Sequence, residues 1–296
     1  MNEQNLLKLY RRPLKWLGAG LGAMAALAAA YTAVNKTELV RVEHLTLPFP
    51  NLPEGLEGLT IAQLSDLHLG WFDSITAIHR GIDLALAQRP DVIVLTGDFV
   101  HRPRPDQAQR CAKVIGRLRA PLGVYAIFGN HDHYGDARVV ERPLRDVGID
   151  VLRNEHRRIT VDGAHLWLLG LDDAREGWGD WPRMLRGVPP EGFKVLLAHE
   201  PDLADTSAHL GIDLQLSGHT HGGQVCLPGL PQVWLPTYGR RYRSGLYRVG
   251  PMWLYTNRGL GSAIPPLRIN CPPEVTIIRL TSKERNSHHD GSSTPG

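Results

Sequence analysis

The sequence predicts an α/β fold: one layered domain of mixed β-sheets flanked by helices, preceded by an apolar N-terminal signal or anchor helix. Three observations predict it. Short apolar runs alternate with helix-like segments from about residue 55 through the first half of the chain. The second half is denser in strand-like runs, two of them folded about glycine turns. No linker-like stretch interrupts residues 45–282, and a hydrophobic content of 42% supports a real core.

The elements follow in order. Lys8, Arg11, Arg12 and Lys15 precede an uncharged run from Trp16 to Asn35, close to the roughly 20 residues that span a bilayer as a helix. Residues 1–36 therefore read as a signal peptide or membrane anchor. The basic flank keeps the start cytoplasmic and puts the rest outside, on the periplasmic side. Arg11-Arg12 followed by Pro13-Leu14 partly resembles a twin-arginine export signal, and the alanines ending at Tyr31 offer a small-residue cleavage site. Leu59 to Leu64 reads as a buried strand. "SITAIHRGIDLALAQRP" has helical spacing, with Ser74 as N-cap and Pro90 beyond the end. "DVIVLTGDFV" is a β-branched strand stopping at Gly97-Asp98, "PDQAQRCAKVIGRLRA" a second helix, and "LGVYAIFG" a third strand. "ARVVERPLRDVGI" reads as a helix interrupted near Pro143. Strands "IDVLR", "FKVLLA", "IDLQLSG" and "EVTIIRL" follow, with hairpins at "VDGAHLWLLG" and "YRVGPMWLYTN". Residues 283–296 are polar and aperiodic and read as a disordered tail.

Composition excludes several functions. A net charge of +3 is too mild for a general nucleic-acid surface, so no nucleic-acid partner is expected. Cys111, Cys226 and Cys271 lack CxxC spacing and form neither a zinc cage nor a disulfide framework. Fourteen histidines, by contrast, raise the case for metal chemistry.

The polar residues gather at one kind of place. Asp66 and His68, Asp98, Asn130 and His131, His199, and His219 with His221 each follow the carboxyl end of an apolar run. In open α/β sheets that edge is where loops converge on a crevice. The first three sets repeat at intervals of 32 residues, as successive strand–helix units would. Two aspartates, an asparagine and four histidines exceed what one tetrahedral ion needs, and they mix oxygen with imidazole donors. Two divalent ions (Mn, Fe or Zn) sharing Asp98 fit better. Such a pair can hold a hydroxide between them and clamp both ends of an in-line displacement at phosphorus.

"DLHLG", "GDFV", "GNHDHY", "LLAHEP" and "SGHTHGG" closely resemble, in order, the five motif blocks of the calcineurin-like metallophosphoesterases. "YTNRGLGS" and "PPLRINCPPEVTIIRL" are most similar to the bacterial YkuE/YaeI-type phosphodiesterase branch, and the resemblance covers about residues 45–282. It implies a sandwich of two mixed β-sheets flanked by helices. It implies a phosphodiesterase in which a metal-bridging hydroxide attacks phosphorus. One ion would be held by Asp66, His68 and His221, a second by Asn130, His199 and His219, with Asp98 between them. His131 would protonate the leaving alkoxide, while Asp132 orients local hydrogen bonds.

Other residues have plainer readings beside functional ones. His79 reads as a helix surface or packing residue, and Cys226 as packing. His101, His133 and Arg258 lie near enough in sequence to touch substrate, Arg258 as a bidentate phosphate donor. The loop "CLPGLPQVWLPTYGRRYRSGLY" puts apolar residues beside Arg240, Arg241 and Arg243, which suits either a lipid surface or a solvated cover over the core. Three functional alternatives follow. One is a pyrophosphatase acting on a lipid-linked nucleotide such as UDP-2,3-diacylglucosamine. Another is a silent binding scaffold, which the full ligand set disfavours. The third, a TIM-barrel amidohydrolase, would carry its H-x-H on the first strand, and here the order is reversed.

Overall fold

Alternate side chains of the central strands enter two different apolar layers, and that alternation organises the molecule. A computed structural model describes residues 16, 18–29, 40–70, 75–227, 229, 235–263 and 268–283. The strands are β1 (Arg41–Pro48), β2 (Thr60–Leu64), β3 (Val92–Thr96), β4 (Val124–Ile127), β5 (Asp150–Val151), β6 (Glu155–Val161), β7 (Ala164–Gly170), β8 (Phe193–Leu197), β9 (Leu214–Ser217), β10 (Gly245–Val249), β11 (Met252–Thr256) and β12 (Glu274–Thr281). The helices of the domain are α1 (Ile75–Ala87), α2 (Pro105–Ile115), α3 (Arg138–Asp146), α4 (Trp181–Leu185) and α5 (Ala204–His209).

Two six-stranded mixed sheets result, ordered β1-β12-β2-β3-β4-β5 and β10-β11-β9-β8-β7-β6. In the first, β2 to β5 run parallel and β12 is antiparallel to β2. In the second, β11, β9, β8 and β7 run parallel, with antiparallel β10 and β6 at its edges. Ile61, Val92 and Val94 face the second sheet with Leu168, Val195 and Leu216. Ala62, Leu64, Ile93 and Leu95 face α1, α2 and α3 on the other side. Leu169, Leu196 and Leu254 pack against Met184 and Ala204 of α4 and α5. The layers are thus helices, sheet, sheet, helices, as the resemblance implied.

Several local readings are corrected. The helix over "ARVVERPLRDVGI" is not interrupted: α3 runs through Pro143. The proline is buried near the helix end, so one missing N–H bond is offset by a ring placed in the core. "IDVLR" contributes a two-residue strand only. β1 was unforeseen because "RVEHLTLP" is mostly half-exposed at a sheet edge and lacks a clean apolar alternation. Its parallel pairing with β12 starts the folded domain at Arg41, ahead of residue 45.

At the N-terminus, residues 18–29 are helical. Among the described residues no helix is long and apolar enough to cross a membrane. Most of the signal-like residues 1–36, the tail from 284 onward, and residues 228 and 230–234 of the proline-rich loop lie outside the described residues.

Candidate metal centre

The strand ends deliver the predicted residues to one cleft. Asp66 and His68 follow β2, Asp98 follows β3, Asn130 and His131 follow β4, His199 follows β8, and His219 and His221 follow β9. None of the seven proposed ligands is more than 4% exposed. Asp66, His68 and His221 form one group whose potential ligand atoms lie within 4.8 Å of one another, and Asp98, His199 and His219 form another. The groups meet at one oxygen: His68 Nε2 is 3.3 Å and His199 Nε2 3.2 Å from Asp98 Oδ2. His68 Nε2 and His221 Nε2 are 2.9 Å apart, and His221 Nε2 is 3.4 Å from Asp66 Oδ1.

Strained backbone sets this geometry. Asp66, His68, Asp98, His219 and His221 all have φ between 46° and 73°, the left-handed region that L-residues rarely occupy. Two glycines make room for close approach. A Cβ on Gly129 would lie 2.3 Å from Asp98 Oδ1 and 2.6 Å from His199 Nε2. One on Gly218 would lie 2.3 Å from Asp66 Oδ2.

Outer partners fix which nitrogen faces the cluster. His199 Nδ1 donates to the Thr96 carbonyl at 2.7 Å, which turns Nε2 toward Asp98. His219 Nε2 donates to the Thr237 carbonyl at 2.8 Å, leaving Nδ1 for the interior. Asn130 Nδ2 donates to the Tyr134 hydroxyl, while its Oδ1 is buried without a hydrogen bond, as is His199 Nε2. Buried acceptors left in this state are what a cation satisfies. Asp132 accepts backbone N–H bonds from Asp98, Phe99, Val100 and Gly129, and so ties the turns after β3 and β4 together.

The protonation states suit metal binding. Burial pushes His219 down to about 4, and burial with the neighbouring His68 lowers His221 well below the usual imidazole range, so both are neutral. Burial opposes the charge on Asp98, but His199 and His131 outweigh it and hold the carboxyl ionised. Burial likewise disfavours a charged His199, yet Asp98 overcomes this and raises its pKa. A buried carboxylate that draws a proton onto its neighbour will draw a divalent cation in its place. The His and Asp groups are therefore suited to a binuclear metal site.

The remaining expectations divide. His131 lines the cleft, and its Nδ1 donates to the His101 carbonyl at 3.0 Å. The His101 ring lies 5.0 Å from the His131 ring, centroid to centroid. His133 is drawn away: it bonds Asp172 at 2.8 Å and stacks on Trp178. Arg258 is also turned aside, paired with Glu43 at 2.6 Å and with Glu274. Neither lines the cleft. Arg240 and Arg241 donate backbone N–H bonds to Asp202, which pins that basic stretch to the body of the domain.

Sequence reasoning missed Arg175. The cleft, a cavity of about 310 Å³, is lined by Arg175, Thr220, Gln224, Leu235, Pro236 and Ala263 besides Asp98, Asn130, His131, His219 and His221. Arg175 follows β7, whose carboxyl end faces the same edge as β8 and β9. The strand-end rule that picked out the proposed ligands points to the loop "LDDAR" after "LWLLG", though not to its arginine in particular.

Comparison with known proteins agrees with this architecture. A family model described as calcineurin-like phosphoesterase matches residues 59–223. The chain is similar to an uncharacterized metallophosphoesterase, YkuE, of Bacillus subtilis, 35% identical over 282 residues, 93% of this chain and 99% of that one. It is similar to Phosphodiesterase YaeI of Escherichia coli, 34% identical over 220 residues, 73% of this chain and 80% of that one. A Danio rerio protein named transmembrane protein with metallophosphoesterase domain is 32% identical over 271 residues, 87% of this chain and 61% of its own length.

Proposed function

This chain belongs to the calcineurin-like phosphoesterase family and is a metal-dependent phosphoric ester hydrolase; from that premise we propose that it cleaves phosphodiesters at the cleft after β2, β3, β4, β8 and β9. The observation that carries the reading is the approach of His68 and His199, one from each ligand group, to the same Asp98 oxygen. Asp66, His68 and His221 would hold one divalent ion, Asn130, His199 and His219 the other, and Asp98 both. Bound there, the ions would supply a water acidic enough to act near neutral pH and offset charge at phosphorus.

The chain's own residues supply the rest. Because His131 Nδ1 donates to His101, its Nε2 is left to give a proton to the departing alkoxide. Burial lowers His131 to about 4; a phosphate anion seated beside it favours the charged form and raises that value. Asp132 fixes the turns that present Asp98 and Asn130. Preference for diesters is supported by the name of the Escherichia coli relative. A second reading, pyrophosphate cleavage in a lipid-linked nucleotide, is favoured by the apolar wall of Leu235, Pro236 and Ala263. We read residues 45–282 as the catalytic domain and place it outside the cytoplasm, carried there by residues 1–36. The basic-then-apolar order of that segment and the name of the Danio rerio relative support this.

The test is turnover by chelator-treated protein resupplied with Mn, Fe or Zn. Bis(4-nitrophenyl) phosphate, 4-nitrophenyl phosphate and a UDP-linked diacylglucosamine are compared. Metal-restored turnover of the diester above both others is the expected result. Faster monoester turnover, or cleavage of the UDP-lipid alone, would overturn the diester reading.

A further inference from the structure

Most arginines around the cleft are committed to the protein itself. Arg258 is held by Glu43 and Glu274. Arg268 is 1% exposed and donates to the carbonyls of Arg258, Gly259, Gly261 and Cys271. Arg153 bonds Asp172 at 2.8 Å and Glu141 at 3.3 Å. Arg175 differs. It lines the cleft, its side chain is 34% exposed, and its ion pair with Glu176 is long at 3.9 Å. A pair of that length in solvent contributes little, so the guanidinium can be taken by a better acceptor.

The turn that carries Arg175 is nevertheless fixed. Its own N–H donates to Glu200 Oε1 at 3.1 Å, Glu176 N–H to Asp173 Oδ1 at 2.7 Å, and Trp178 N–H to the Asp173 carbonyl at 2.8 Å. Asp173 and Glu200 are both fully buried. An exposed guanidinium on an anchored turn, at the rim of a cleft with a cationic purpose at its floor, is placed for negative charge beyond the scissile phosphate. Leu235, Pro236 and Ala263 give the same cleft an apolar lining.

We infer that Arg175 is a specificity-determining residue. It binds a second anionic group of the substrate, so that the preferred ester is an amphipathic phosphodiester with one charge more than the reacting phosphate. This rests on the diester reading above. The test uses two 4-nitrophenyl phosphodiesters whose second aryl arm ends in a carboxylate or in its methyl ester. Leaving group and scissile phosphate are then the same. Wild type should favour the carboxylate in kcat/KM by about ten- to a hundredfold, the scale of a charge-assisted bond. Arg175→Met should abolish the preference, mainly through the KM of the carboxylate compound, at unchanged metal content. Arg175→Lys should keep part of it. If metal-loaded wild type hydrolyses neither compound, the diester reading fails and the inference with it. If it hydrolyses both without preference, or Arg175→Met keeps the preference, the inference alone is overturned.

Discussion

The floor and the rim of the cleft are built by opposite means. At the floor, the seven proposed ligands are nearly inaccessible, five stand in left-handed backbone, and glycines remove side chains that would collide with them. At the rim, Arg175 is exposed, and its turn is held by backbone N–H bonds to buried carboxylates. The contrast separates two tasks. Holding ions needs donor atoms fixed within tenths of an ångström, which burial and strain provide. Choosing a substrate needs a reachable charge on a firm base.

The sharpest way to break this division is at the floor. Asp98→Asn keeps the shape and removes the charge that both ligand groups share. Activity should fall by about 10³-fold or more, beyond the loss from one electrostatic donor, and metal content should fall with it. An active protein with full metal content would show that Asp98 does not bridge. His131→Gln should come next. Its kcat should drop by about 10²–10⁴-fold, the range for a general acid, with metal analysis unchanged. Loss of metal in that variant would move His131 from proton donor to ligand.

A smaller change tests the packing. Gly129→Ala would press a methyl against Asp98 and His199, and overpacking of this kind costs about 1–3 kcal/mol. Gly135→Ala, where the nearest atoms are 3.6 Å away on Pro103, is the control and should change stability by under about 0.5 kcal/mol. Urea denaturation of the two variants beside wild type measures the difference. Equal stabilities would mean that the floor yields as readily as the surface.

The same division explains what the sequence disclosed. Floor residues were legible because Asp, Asn and His recur together at the ends of successive apolar runs, and Asp66, Asp98 and Asn130 repeat with the strand–helix period. The layered fold followed from short apolar runs such as "VIVLT", buried throughout, alternating with helix-like segments. β1 was hidden by its edge position, and α4 and α5, of five and six residues, are too short to show a helical period. Arg258 and His133 were legible as chemistry but not as direction: Glu43 and Asp172, 215 and 39 residues distant, decide where those side chains turn. Arg175 was passed over because an arginine in a charged loop is ordinary until its neighbours are known.

Floor and rim meet at Asp173 and Glu200, and there the smallest effect at neutral pH is expected. Glu200 follows His199 in the chain, and both carboxyls anchor the Arg175 turn. Burial, and then the neighbouring Glu200, push Asp173 up to about 9, so it is protonated at neutral pH. An acid whose folded pKa lies above its unfolded value of 3.8 holds an extra proton in the folded state between the two. Its contribution is whole below about pH 4 and is lost as pH rises toward 9, at up to about 1.4 kcal/mol per pH unit. Asp173→Asn replaces that proton with an amide hydrogen that pH cannot remove. Stability should change by under about 1 kcal/mol at pH 6, and the variant should overtake wild type by pH 9. Urea denaturation of the metal-loaded proteins at both pH values decides it. Parallel pH profiles would mean that Asp173 holds no extra proton in the folded state, and that the joint between floor and rim is held by the backbone bonds alone.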